Sequence, residues 1–161
     1  MTLEHVYEEF IQQVKDTISI QPIPPQYNPS EWRAKRFNCY AYALQACMNL
    51  TRYDIVPGFI AGYSDYIPTK ECTLQYFKED CEALGLEVVT SDLKEQVSAN
   101  EYKIAVYLNE GRDFHFIRQD SDGKWSHKVG WKGDIEYLDQ ADLVKDQDGC
   151  KFIKIFKVSK K

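Results

Sequence analysis

The periodicity of apolar residues changes once along this chain, near residue 85, and that change limits the folds it can adopt. Before residue 85 apolar side chains recur at helical spacing, and after it they fall in short β-branched and aromatic runs. Leu3, Val6, Phe10 and Val14 predict an amphipathic helix over 3–18 with Thr2 as its cap. Cys39 to Leu50, apolar on nearly every face and preceded by Asn38, predicts a buried helix with asparagine at its N-cap. Leu74, Phe77, Cys81 and Leu84 predict a third helix over 69–84, closed by Gly85. Strands are expected at 87–90, 102–108, 114–118 and 152–158. Helices first and strands later imply an α+β fold with an antiparallel sheet.

Prolines divide the helical half. Pro22, Pro24, Pro25 and Pro29 each remove a backbone donor and restrict the preceding residue, so 21–30 reads as an extended connector. The segment before it, 1–20, is too short to fold alone and must dock on the body, giving one domain over 1–161. Asp139 to Gly149 is polar and reads as a surface loop, while Trp125, Trp131 and the tyrosines read as core and hairpin packing.

Charge and composition exclude several function classes. The net charge is −5 and the 20 basic residues are scattered, so no basic stripe is present to track a phosphate backbone, and no nucleic-acid partner is expected. No apolar run approaches a bilayer span, and the polar start of the chain lacks the pattern of a secretory signal, so a cytoplasmic protein without membrane association is expected. The five cysteines form an odd set without a CxxC pair and read as reduced thiols. No close-spaced ligand pair supports a metal site, no cofactor is called for, and the oligomeric state is left open.

The chemistry-bearing residues are few. A thiol is nucleophilic as thiolate, which a helix N-terminus and a neighbouring imidazole both favour, and Cys39 opens the predicted buried helix. Of three histidines, His5 lies in the first helix, whereas His115 and His127 flank a turn at Asp120-Ser121-Asp122-Gly123. A three-residue loop between positions 119 and 123 would set the two imidazoles directly opposite each other, and a four-residue loop would put them on opposite faces. In the favourable register His115 serves as general base for Cys39 and His127 orients it. Asn38 or the first helical amides are candidates for an oxyanion hole, and Tyr40 for substrate contact.

Cys39-Tyr40-Ala41-Tyr42-Ala43 followed far downstream by Asp113-Phe114-His115-Phe116-Ile117 resembles the papain-like thiol hydrolases, closest to the cysteine, histidine-dependent amidohydrolase/peptidase group. The resemblance spans about residues 37–130. It implies a papain-like fold in which the nucleophile helix packs on the sheet, and amide hydrolysis through a thioester with Cys39 as nucleophile and His115 as base. Asn38 stands where that group usually has glutamine, Arg112-Asp113-Phe114 replaces the usual glycine before the histidine, and His127 fills the third position as in related cell-wall peptidases. The expected function is a thiol amidohydrolase, peptidase or acyl transferase acting on a peptide or protein, in a bacterial or phage setting. The rival expectation is a non-catalytic α+β module that binds a protein partner, such as an inhibitor or regulator.

Overall fold

The computed structural model describes residues 3–33, 35–50, 55–129 and 133–161, with side chains of the first helix described from Tyr7 onward. Thr2 and Trp131 lie outside the described residues. Helix α1 spans Leu3–Ser19, α2 Pro29–Trp32, α3 Cys39–Ala43 and α4 Lys70–Ala83. Strands follow as β1 Leu86–Ser91, β2 Glu101–Asn109, β3 Asp113–Gln119, β4 Trp125–Lys128, β5 Ile135–Leu138 and β6 Lys151–Lys160. They form one six-stranded sheet in the order β1-β6-β2-β3-β4-β5, and every neighbouring pair is antiparallel. The α+β class is therefore as expected. β5 was not anticipated, because it is four residues long and carries Glu136 between apolar positions.

Helix boundaries follow local chemistry. The Thr69 hydroxyl accepts from the Cys72 amide at the start of α4, and Gly85 follows its C-cap. Pro29 occupies the first position of α2, where its missing N–H costs nothing. The buried helix is much shorter than the expected 39–50. Asn38 caps it by accepting from the Ala41 amide at 2.9 Å, but the helix ends after Ala43 because Gln45 turns left-handed at φ 67. The Ala46 amide then reaches the Ala41 carbonyl at 2.7 Å and the Gln45 amide the Tyr42 carbonyl at 3.1 Å, the two bonds of a Schellman stop. A non-glycine residue in that conformation costs about 1–2 kcal/mol. Gln45 offsets part of this by donating its side-chain amide to the Pro22 carbonyl at 2.9 Å. Residues 39–47 are nonetheless all buried, so their apolarity serves an irregular core segment.

The sheet buries both faces. Tyr102, Ile104, Val106, Phe116 and Phe156 pack beneath α1, α3 and α4, where Val14, Tyr40 and Phe77 are fully buried. Ala105, Tyr107, Ile117, Trp125 and Ile155 point to the second face, which Leu143 and Cys150 cover. The stretch 139–149, expected to be a surface loop, thus supplies one core side chain, Leu143, and a short 3-10 turn at Gln140–Asp142, with Cys150 following as a second buried residue. Its polar residues face outward while Leu143 is driven inward by the apolar face beneath it.

Two buried charges fasten the elements around α3. The Arg118 guanidinium on β3 donates to the Asp120 carboxylate at 2.9 Å, the Tyr42 carbonyl at 2.9 Å and the Gln26 carbonyl at 3.1 Å. It also lies 3.7 Å from the Tyr42 ring centroid and 4.8 Å from that of Trp32. On the other side Asp80 of α4 accepts from the Tyr40 hydroxyl at 2.5 Å and from the Gly58 and Ala61 amides at 2.8 Å each. Gly58 is required there: its φ is 94, and a Cβ would come within 2.5 Å of the Tyr76 ring.

Two predictions follow from these charges. Arg118→Ala leaves Asp120 buried without its partner and is expected to lower unfolding stability by about 3–5 kcal/mol in urea titration. Burial raises the Asp80 carboxyl to about 6 from 3.8, so the native state holds a proton that the unfolded chain has released. This contribution is complete below pH 3.8 and is lost as pH rises through 6, amounting to about 3 kcal/mol. The stability difference between the wild type and Asp80→Asn should therefore shift in favour of the variant by about that much between pH 4 and pH 7.

Candidate functional site

The turn after β3 decides whether the two histidines meet. Asp120 and Lys124 flank a three-residue loop, with the Asp120 amide donating to the Lys124 carbonyl at 2.8 Å and the Gly123 amide to the Asp120 carbonyl at 2.9 Å. Gly123, at φ 83, takes the left-handed position such a loop requires. The loop is shifted one residue forward from the position expected from the sequence, so Arg118 pairs with Ser126 and Gln119 with Trp125. In that register His127 falls diagonal to His115, not opposite it, yet on the same face. The imidazoles meet edge to face, with His115 Nε2 and His127 Nδ1 2.8 Å apart.

Cys39 approaches β3 from the side. The β3–β4 ladder covers only two residue pairs, and α3 packs against both strands. The amide of Phe116, the residue after His115, reaches the Cys39 sulfur, as does the amide of Tyr40. The structure therefore brings Cys39, His115 and His127 to one end of β3 and β4. It does not join them: no hydrogen bond links the Cys39 sulfur to either imidazole among the described residues.

Asn38 caps α3 as expected from the sequence, and the Tyr40 ring turns into the core. The Asn38 side chain caps α3 through its oxygen and donates its amide to the Ile55 carbonyl at 2.7 Å, so both its ends are engaged in holding the backbone. The Tyr40 side chain is fully buried, points to Asp80 and packs on Phe116 at a centroid distance of 4.7 Å. The Tyr40 ring is thus a core side chain, and the part of Tyr40 that meets the thiol is its backbone amide. The sequence placed these residues correctly along the chain but could not show which way they turn.

The site is closed. Cys39 is 7% exposed, His115 2% and His127 7%. Burial pushes the Cys39 thiol up to about 12, with the Asp113 and Cys150 charges adding to the rise and the Phe116 and Tyr40 amides opposing it. Burial, reinforced by the neighbouring His127, pulls His115 down to about 3. Burial also lowers His127, against the pull of Glu136 and Asp148. All three groups are neutral near pH 7, and the two imidazoles share their hydrogen bond as uncharged rings. The residue missed by sequence reasoning is Tyr107. Its ring centroid lies 6.0 Å from that of His115, and its hydroxyl donates to the Leu143 carbonyl at 2.6 Å, holding 139–150 over this face. Its place opposite His115 in the β2–β3 pair was not readable without the register.

No described group of His, Cys, Asp or Glu side chains has the makings of a metal site, and no helix among the described residues is long and apolar enough to cross a membrane. Long-range 15N spectra should show His115 neutral, with shifts unchanged from pH 8 to pH 5, and His127 titrating below the range of an exposed histidine.

Comparison with known proteins adds a family without a known activity. No curated protein and no solved structure matches the chain. A family model described as a domain of unknown function, DUF7689, matches residues 29–151, a span that runs from the start of α2 to the start of β6 and contains Cys39, His115 and His127. The chain belongs to that family.

Proposed function

We propose that this protein is a thiol-dependent acyl-transfer enzyme of papain-like type, an amidohydrolase or peptidase acting on a peptide or protein, with Cys39 as nucleophile and His115 as base. The observation that carries this reading is the buried imidazole pair, 2.8 Å apart, beside the strand position whose amide reaches the Cys39 sulfur. Burying two imidazoles costs hydration that a pair of apolar side chains would not forfeit, and the pair leaves His115 Nδ1 as the nitrogen available to the thiol. In the reaction, Cys39 sulfur would bond to the substrate carbonyl carbon as its proton passes to His115. The C–N bond would then break as that proton moves to the departing amine, and water would hydrolyse the thioester. His127, holding His115 Nε2, would fix tautomer and ring orientation. The Tyr40 amide would help stabilise the oxyanion.

The closed state cannot perform this chemistry. With the thiol at about 12 and His115 at about 3, moving the proton between them is uphill by on the order of 10 kcal/mol before the new charges attract each other. Turnover therefore requires 139–150 to lift, admitting substrate and restoring polarity around the pair. The same closure favours a second reading, a papain-like module without catalysis that binds a protein partner.

Limited iodoacetamide labelling with mass-spectrometric mapping separates the two. For the enzyme, Cys39 is labelled ahead of the equally buried Cys47 and Cys81, and His115→Ala slows labelling at Cys39 by about 100-fold while leaving Cys72 unchanged. Equal protection of Cys39, Cys47 and Cys81, indifferent to His115, removes the enzymatic reading and leaves the binding module.

A further inference from the structure

A second site lies on the helix side of the molecule, where α1 crosses the segment 55–69. A cavity of about 430 Å³ opens to solvent there, lined by Tyr7, Glu8, Ile11, Phe59, Tyr63 and Ser64. Its volume falls within the range of small-ligand sites, roughly 300–1,000 Å³. Three of these six side chains are aromatic and the one charged group among them is a carboxylate. Residues 55–69 contain Asp65 and no lysine or arginine.

The aromatic rings are held in place. Tyr7 and Phe59 meet with centroids 5.6 Å apart, and Phe10 braces Phe59 from behind at 5.7 Å. Tyr63 stacks on Tyr76 at 4.1 Å, which covers one face of its ring and orients what remains toward the cavity. The hydroxyls of Tyr63 and Tyr76 donate to Glu79 at 2.9 Å and Asp65 at 2.7 Å. Both carboxylates hold the phenols protonated by raising them above their ordinary value, Tyr63 through Glu79 and Tyr76 through Asp65. A phenol donating to a carboxylate carries more electron density on its ring, so this pair of tyrosines is biased toward attracting positive charge.

We propose that this cavity binds an alkylated ammonium group, as a choline-like small molecule or as a methylated lysine side chain of another protein. Aromatic walls attract such a cation through their negative faces and bury its methyl groups, while Glu8 at the rim supplies the opposite charge. A neutral ligand of the same shape would gain the burial and lose both electrostatic contributions. An anion would meet carboxylates on every charged position named here. This inference does not depend on Cys39, since the cavity shares no residue with the thiol site.

The full-length chain is titrated with choline chloride at constant total chloride and followed by amide and aromatic NMR. Parallel titrations use 3,3-dimethylbutanol, the neutral isostere, and a peptide carrying trimethyllysine. Choline or the peptide is expected to shift Tyr7, Phe59 and Tyr63 saturably, with the isostere weaker by about fivefold or more. The tighter of the two cationic ligands identifies the source. Glu8→Gln, an exposed change that leaves the packing alone, should weaken the cation by about threefold and leave the isostere unaffected. Equal affinity for isostere and cation, or no saturable shift with either cationic ligand, overturns the proposal. Tyr63→Leu adds a check on the ring itself, with the untouched spectrum of the β-sheet reporting that the fold persists.

Discussion

A guanidinium buried without exposure organises the middle of this molecule. Arg118 cannot stay charged inside the protein unless its donors are met, and the acceptors it finds come from three separate stretches: Asp120 in the turn, the Tyr42 carbonyl in α3 and the Gln26 carbonyl in the connector. Asp120 in turn accepts from the Ser126 hydroxyl, which is itself bonded to the Tyr42 hydroxyl at 2.7 Å. The short helix that begins at Cys39 has only five residues and little intrinsic stability. What holds it against β3 and β4 is this network together with the Tyr40–Asp80 bond on its other side. Any slip in the pairing of β3 with β4 would separate Arg118 from Ser126 and unmake the set.

The same register puts the histidines together, so structural and chemical features share one cause. A loop one residue longer would turn His127 to the helix side and Ser126 to the second face, losing the imidazole pair and the Ser126–Tyr42 bond in a single step. The site is thus as rigid as the hairpin that carries it. Its weakness lies in the cover. The stretch 139–150 is held by Leu143, Cys150 and one hydrogen bond from Tyr107, whereas its remaining side chains are mostly polar and outward. Segments with few apolar anchors open at lower free energy than the sheet beneath them.

Electrostatics and geometry pull in opposite directions at Cys39. Two amides point at its sulfur, as a thiolate would want, yet full burial outweighs them and holds the thiol neutral. A helix of five residues adds little dipole, so the expected benefit of the N-terminal position is small. Access of solvent, more than any single neighbour, therefore governs the ionisation of this site. That conclusion depends on the covering segment, which the linear pattern of the chain presents as a polar loop.

Much was readable in the residues themselves. The change of period near residue 85, the N-cap at Asn38, Gly85 after α4, and the turn residues around Gly123 are local signals, and local chemistry sufficed for the class of fold and for four of the six strands in outline, with the hairpin return that became β4. The pairing of His115 with His127 was foreseen as a possibility hinging on a single residue of register. Tertiary structure alone decided that register, the left-handed stop at Gln45, the inward turn of Tyr40 toward Asp80, and the burial of Leu143 under a polar exterior. Each of these is settled by a partner distant in the chain. Side-chain direction is fixed by what packs on the other side, and no spacing within a segment records it.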